Sequence, residues 1–137
     1  MAVDTAVGAE IPTFAREAGL YAWNRYAAVN DEFVLIHMDD DAGRAAGYDG
    51  AFGMGNLQFA WLHCMLRAWT EAERGRIVRV GCNFRAPSLK GHTVTAHGLV
   101  TGVREEGDEQ VVDLEVWTET EEGSRLAPGT ATVAFPR

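Results

Sequence analysis

The sequence predicts an α+β fold, a curved antiparallel sheet of about five strands wrapped around one long apolar helix. Three observations predict it. Apolar residues recur at helical spacing from Gly55 to about Arg74, the period drops to two after Arg76, and the strand runs that follow are separated by short, turn-rich segments. The 137 residues, 47% hydrophobic and 23% charged, suffice for one compact domain with a core, so a single domain over residues 1–137 is expected.

Taken in order, Thr13 to Leu20 reads as a strand, Tyr21 to Asn30 as a short helix, and Asp40 to Ala46 as a helical turn whose acids Asp39 to Asp41 suit a helix start. In the long helix, Asn56, His63, Arg67, Thr70 and Arg74 form one narrow polar stripe, while Leu57, Phe59, Trp61, Leu62, Met65, Leu66 and Trp69 cover the rest. Such a helix must be buried on several sides, with Gly75 at the position of a left-handed cap. Val78, Val80, Cys82 and Phe84 then alternate with Arg79, Gly81, Asn83 and Arg85, a strand with one inner face that ends at Pro87. Three further strands are expected near Thr93 to Arg104, Gln110 to Glu119 and Gly129 to Phe135, and such close connections make them antiparallel.

Lys plus Arg number 12 against 20 Asp plus Glu, a formal charge of -8, and a surface so acidic repels a phosphate backbone. No nucleic-acid partner is therefore expected. The longest apolar tract, Phe52 to Trp69, is broken by Asn56, Gln58, His63 and Arg67, and Met1 to Pro12 lacks the pattern of an export signal, so no membrane partner and a soluble, cytoplasmic protein are expected. Cys64 and Cys82 lie in separate apolar patterns without CxxC spacing and read as reduced core residues.

Chemistry concentrates in two places. Between Asn30 and Asp41, acids including Asp31 and Glu32 flank an apolar run that ends at His37, and a carboxylate and an imidazole converging on one water can activate it. On spacing alone, His37 reads equally as a satisfied core residue. Gly50 to Gly55 leads into the long helix, where Gly53 and Gly55 leave backbone N–H groups unobstructed to bind an oxygen that gains negative charge, or simply let the chain turn and pack closely. Arg79, Arg85 and Lys90 offer cations to an anionic substrate or stand as ordinary outward strand residues. His92 and His97 lack spaced carboxylate or Cys partners, so no metal site is expected, and neither Ser88 nor Ser124 sits in a nucleophile elbow.

These residues carry a resemblance to the MaoC-like hydratases, the hot-dog-fold family that includes the (R)-specific enoyl-CoA hydratases. The run from His37 to Tyr48 resembles the stretch H-L-D-P-x-F-A-R-x-A-G-F, Gly55-Asn56-Leu57 is similar to H-G-M-L at the helix start, Asn83 to Gly91 to R-F-x-x-P-V-x-x-G-D, and Gly129 to Val133 to G-x-A-x-V. The likeness spans Phe14 to Phe135.

The resemblance implies a hot-dog hydratase or dehydratase acting on a 2-enoyl-CoA or related acyl thioester, without a cofactor beyond the coenzyme A of the substrate itself. It implies that His37 works with an acid five residues earlier, the position of Glu32 with Asp31 beside it, and that the Gly55 N–H receives the thioester oxygen. Gly53, Met54 and Arg85 then fall beside the substrate. The chain departs from the pattern in carrying Glu32 for Asp, Val34-Leu35 for Asn-Pro, and Met54 for the His before the glycine. These departures also suit a non-catalytic hot-dog subunit that binds acyl-CoA or completes a partner's active site; an acyl-CoA thioesterase is a third reading. A homodimer or a heteromer with another hot-dog subunit is expected, because one small sheet cannot cover so much apolar surface.

Overall fold

The computed structural model describes residues 4–137. β1 (Phe14–Glu17) is followed by α1 (Leu20–Asn30), a 3-10 turn (Leu35–His37), α2 (Asp40–Ala45) and the long α3 (Gly55–Thr70). β2 (Arg76–Cys82), β3 (Thr93–Glu106), β4 (Glu109–Thr120) and β5 (Gly129–Pro136) complete the order. All five strands join one antiparallel sheet in the order β1-β3-β4-β5-β2, so β1 and β2 are its edges. β3 and β4 form a long hairpin from Val94↔Thr120 to Glu106↔Glu109.

Burial explains why the sheet curls. Leu62, Met65, Leu66 and Trp69 of α3 pack against Ala96 and Val100 of β3, Leu114 and Val116 of β4, and Val133 and Phe135 of β5. A second cluster joins Trp23 and Ala27 of α1 to Met54, Leu57 and Trp61, which anchors the start of α3. The predicted central helix and sheet are thus observed, and Trp23, Trp61 and Trp69 are all core residues.

Several local expectations are corrected. α3 stops at Thr70 and passes through a 3-10 turn, Glu71–Glu73, to Arg74, which rather than Gly75 takes the left-handed conformation with φ 53°. Gly75 instead serves close packing, since a Cβ there would lie 2.7 Å from the Phe135 ring. β2 ends at Cys82, before Phe84, and a bulge between Ile77 and Arg79 shifts its alternation: Ile77 and Val80 pack on the core while Val78 and Phe84 are exposed. Thr70 is buried, whereas Cys64, on the face with Ala60, His63, Arg67 and Ala68, is exposed; Cys82 is half-buried, and both thiols are free. The face of α3 away from the sheet is therefore left uncovered in the isolated chain.

The start of α2 is tied to the segment that leads into α3 and to the connection between β2 and β3. Asp39 caps the helix by accepting from the Ala42 N–H at 2.9 Å, and Asp40 accepts from the Ala51 N–H at 2.9 Å and from the Lys90 ammonium. The Lys90 bond first and the Ala51 N–H second hold the Asp40 carboxyl below its ordinary range. A depressed folded-state pKa stabilises the fold above the ordinary value and loses that stabilisation as the pH falls through the carboxylate range. Acid titration of stability, followed by denaturant unfolding at a series of pH values, should accordingly be less steep in Asp40→Asn than in the parent chain.

Candidate functional site

His37 closes the 3-10 turn, and its ring is buried against Phe52. Two hydrogen bonds lock the pair: the Phe52 N–H donates to the Ile36 carbonyl at 3.1 Å, and His37 Nδ1 lies 2.7 Å from the Phe52 carbonyl oxygen. A carbonyl oxygen only accepts, so Nδ1 carries the proton and the neutral ring keeps its lone pair on Nε2. The backbone thereby presets a proton-accepting nitrogen.

Two residues beyond Gly53, Gly55 opens α3. Its N–H belongs to the first turn of a 16-residue helix, where no intrahelical partner exists, no side chain caps the end and no acid offsets the dipole. Phe84 lies across the glycine, and a Cβ on Gly55 would come 2.7 Å from the ring. The Gly53 N–H, by contrast, is taken by the Ser88 carbonyl at 2.8 Å.

His37, Gly53, Gly55 and Arg85 share one open cleft of about 230 Å³, walled by the rings of Tyr48, Phe52 and Phe84. The structure thus brings together four of the residues singled out from the sequence. Met54 is not among them; its side chain is buried with Trp23 and Trp61. Neither acid lines the cleft. Asp31 is the exposed left-handed cap of α1, with φ 53°, and Glu32 accepts from Asn30 Nδ2 at 3.3 Å. Burial, and secondarily the Glu32 charge, raises the pKa of Tyr26. Among the described residues no hydrogen bond or ion pair joins either acid to His37.

Other candidates disperse. Lys90 binds Asp40, His92 pairs with Glu121, His97 with Glu119, and His63 bonds the Phe59 carbonyl of its own helix. A larger hollow of about 440 Å³ beside the start of α1, Lys90 and Gly91 contains no imidazole and no cysteine, and His92 lines a separate hollow with Asp40, Asp49 and Lys90. Sequence reasoning overlooked Tyr48, Phe84 and Gln58 as cleft residues. For Gln58 a signal existed: it stands three residues after Gly55 and therefore on the same helix face.

None of the family models matches the sequence, and no curated protein matches it. Solved structures do match in fold. The (R)-hydratase from A. caviae involved in PHA biosynthesis superposes with a TM-score of 0.84 at 21% identity, over 96% of this chain and 97% of that one. The MaoC-like dehydratase from Rhodospirillum rubrum gives 0.80 at 18% identity, over 96% and 93%. The ChsH1-ChsH2 complex from Mycobacterium tuberculosis gives 0.83 at 20% identity, over 96% and 99%. The curled five-stranded sheet around a central helix is the hot-dog fold that these structures share. No helix among the described residues is long and apolar enough to cross a membrane.

The apposition of Phe84 and Gly55 makes a direct prediction. Gly55→Ala should destabilise the chain by about 1–3 kcal/mol through overpacking. Adding Phe84→Leu should recover part of that loss, so a double-mutant cycle by denaturant unfolding should show coupling between the two positions.

Proposed function

We propose that this chain is a hydratase or dehydratase acting on a 2-enoyl-CoA or related acyl thioester. One observation carries the reading: an imidazole with Nδ1 committed to a carbonyl and Nε2 left basic shares a cleft with an uncapped helix N-terminus at Gly55. With the thioester oxygen at the Gly55 N–H, His37 Nε2 takes a proton from water as the water oxygen bonds to the β-carbon. The carbon–carbon π pair moves toward the thioester, and the enolate oxygen gains charge at the helix terminus, where a preorganised donor is worth most. The imidazolium returns its proton to the α-carbon, which balances the addition of one water; dehydration is the reverse. The thioester supplies the acidity, so the step calls for no further cofactor.

The five-residue spacing would give the water to Glu32 or its neighbour Asp31, but neither lines the cleft, so within this chain the reading rests on His37 and the Gly55 N–H. The second reading, a subunit that completes a partner's site, is favoured by a specific observation: neither acid lines the cleft, and the segment just before His37 exposes Phe33, Val34 and Leu35. The uncovered face of α3 and the free edge of β2 provide surface for such a partner, whether a second copy or a different hot-dog chain. The fold of a two-component complex, ChsH1-ChsH2, agrees with this reading.

Purified protein mixed with a short and a bulky enoyl-CoA should abolish the conjugated-thioester absorbance, and His37→Ala should lower turnover by about 10²- to 10⁴-fold while the protein stays folded. Binding of acyl-CoA without absorbance loss, restored by a second hot-dog chain, would select the subunit reading, and release of free thiol would indicate a thioesterase. If His37→Ala unfolds the chain yet leaves activity per folded molecule unchanged, the imidazole is a core residue and the proposal fails.

A further inference from the structure

A glutamine with no solvent exposure stands one turn inside α3, in a row of otherwise apolar core residues. Gln58 Nε2 donates to the Ala86 carbonyl at 3.1 Å, and its Oε1 accepts from the Thr118 hydroxyl at 2.6 Å. The orientation of the amide is fixed, because the Ala86 carbonyl can only accept. Thr118, on β4, is itself fully buried. One side chain therefore links three elements: the first turns of α3, the centre of the sheet and the segment after β2.

That segment carries the wall of the cleft. The N–H groups of Arg85 and Ala86 donate to the Leu126 carbonyl at 2.9 and 3.2 Å, so the sheet side of the segment is pinned, and Gln58 pins its helix side. Two residues before Ala86, the Phe84 ring lies against Gly55 with no room for even a methyl group. Burying a polar pair inside an apolar cluster costs free energy that a Met and a Val of similar shape would avoid, so the bridge contributes alignment more than stability.

We infer that Gln58 is a positioning residue, which through Ala86 and Thr118 sets the Phe84 wall against the helix terminus and so fixes where the Gly55 N–H meets a bound oxygen. This rests on the proposed hydratase reading for its effect on turnover, but not for its effect on geometry. Interactions that matter most in the transition state act on kcat rather than on KM, and a displacement near 1 Å is worth on the order of 100-fold in rate.

The test compares Gln58→Met and Thr118→Ser with the parent chain by enoyl-CoA hydration and by the Gly55 amide signal in ¹H–¹⁵N NMR of the unliganded protein. Gln58→Met should fold, shift the Gly55 signal and lower kcat by on the order of 100-fold with KM nearly unchanged, whereas Thr118→Ser, which keeps the hydroxyl, should match the parent. If Gln58→Met does not fold, Thr118→Val, which removes only the hydroxyl, should show the same signal shift and the same selective fall in kcat. An unmoved Gly55 signal together with unchanged kcat per folded molecule would overturn the inference. A parent chain without turnover would count against the hydratase reading, while the Gly55 signal would still decide the role of Gln58.

Discussion

The hydrogen bond from His37 Nδ1 to the Phe52 carbonyl, 2.7 Å long, is the contact on which the site depends. It joins a 3-10 turn to the segment that enters the central helix, and the Phe52 N–H returns a bond to Ile36. The chain between them, α2 and its flanks, is held in turn by Asp40. Because these bonds are backbone-mediated, the imidazole is oriented without a carboxylate. A carboxylate would also stabilise the imidazolium; a carbonyl dipole does so less strongly, and neither Glu32 nor Asp31 lines the cleft to make up the difference.

The second half of the site follows from the packing of α3. α3 packs its apolar side on the sheet, and its N-terminus at Gly55 shares the cleft with Phe84 to Pro87, the segment after β2. Phe84 can lie on Gly55 only because the glycine has no side chain, so the same residue that exposes an N–H also admits the aromatic wall. Helix dipole, glycine and ring are parts of one arrangement rather than separate features.

Much of the fold was legible because its signals are local. The change of period at Arg76 located the end of the helical half and the start of the strands, and the apolar breadth of the Gly55–Thr70 stretch announced a helix inside a sheet. His37 and Gly55 were legible through spacing and motif order. What escaped depended on contacts distant in sequence. The bulge in β2 follows its register on β5, the conformation of Asp31 directs Glu32 toward Asn30, and Gln58 acquires meaning only once Ala86 and Thr118 lie beside it. Cys64 misled because an amphipathic pattern does not show which apolar face a single chain leaves uncovered.

The most direct measurement is the tautomer of His37 in long-range ¹H–¹⁵N NMR spectra of the unliganded chain above the titration of the ring. A proton on Nδ1, with Nε2 showing the shift of an unprotonated nitrogen that moves when a saturated acyl-CoA binds, is the expected result. A proton on Nε2, or a ring insensitive to the thioester, would contradict a preset base facing the mouth of α3.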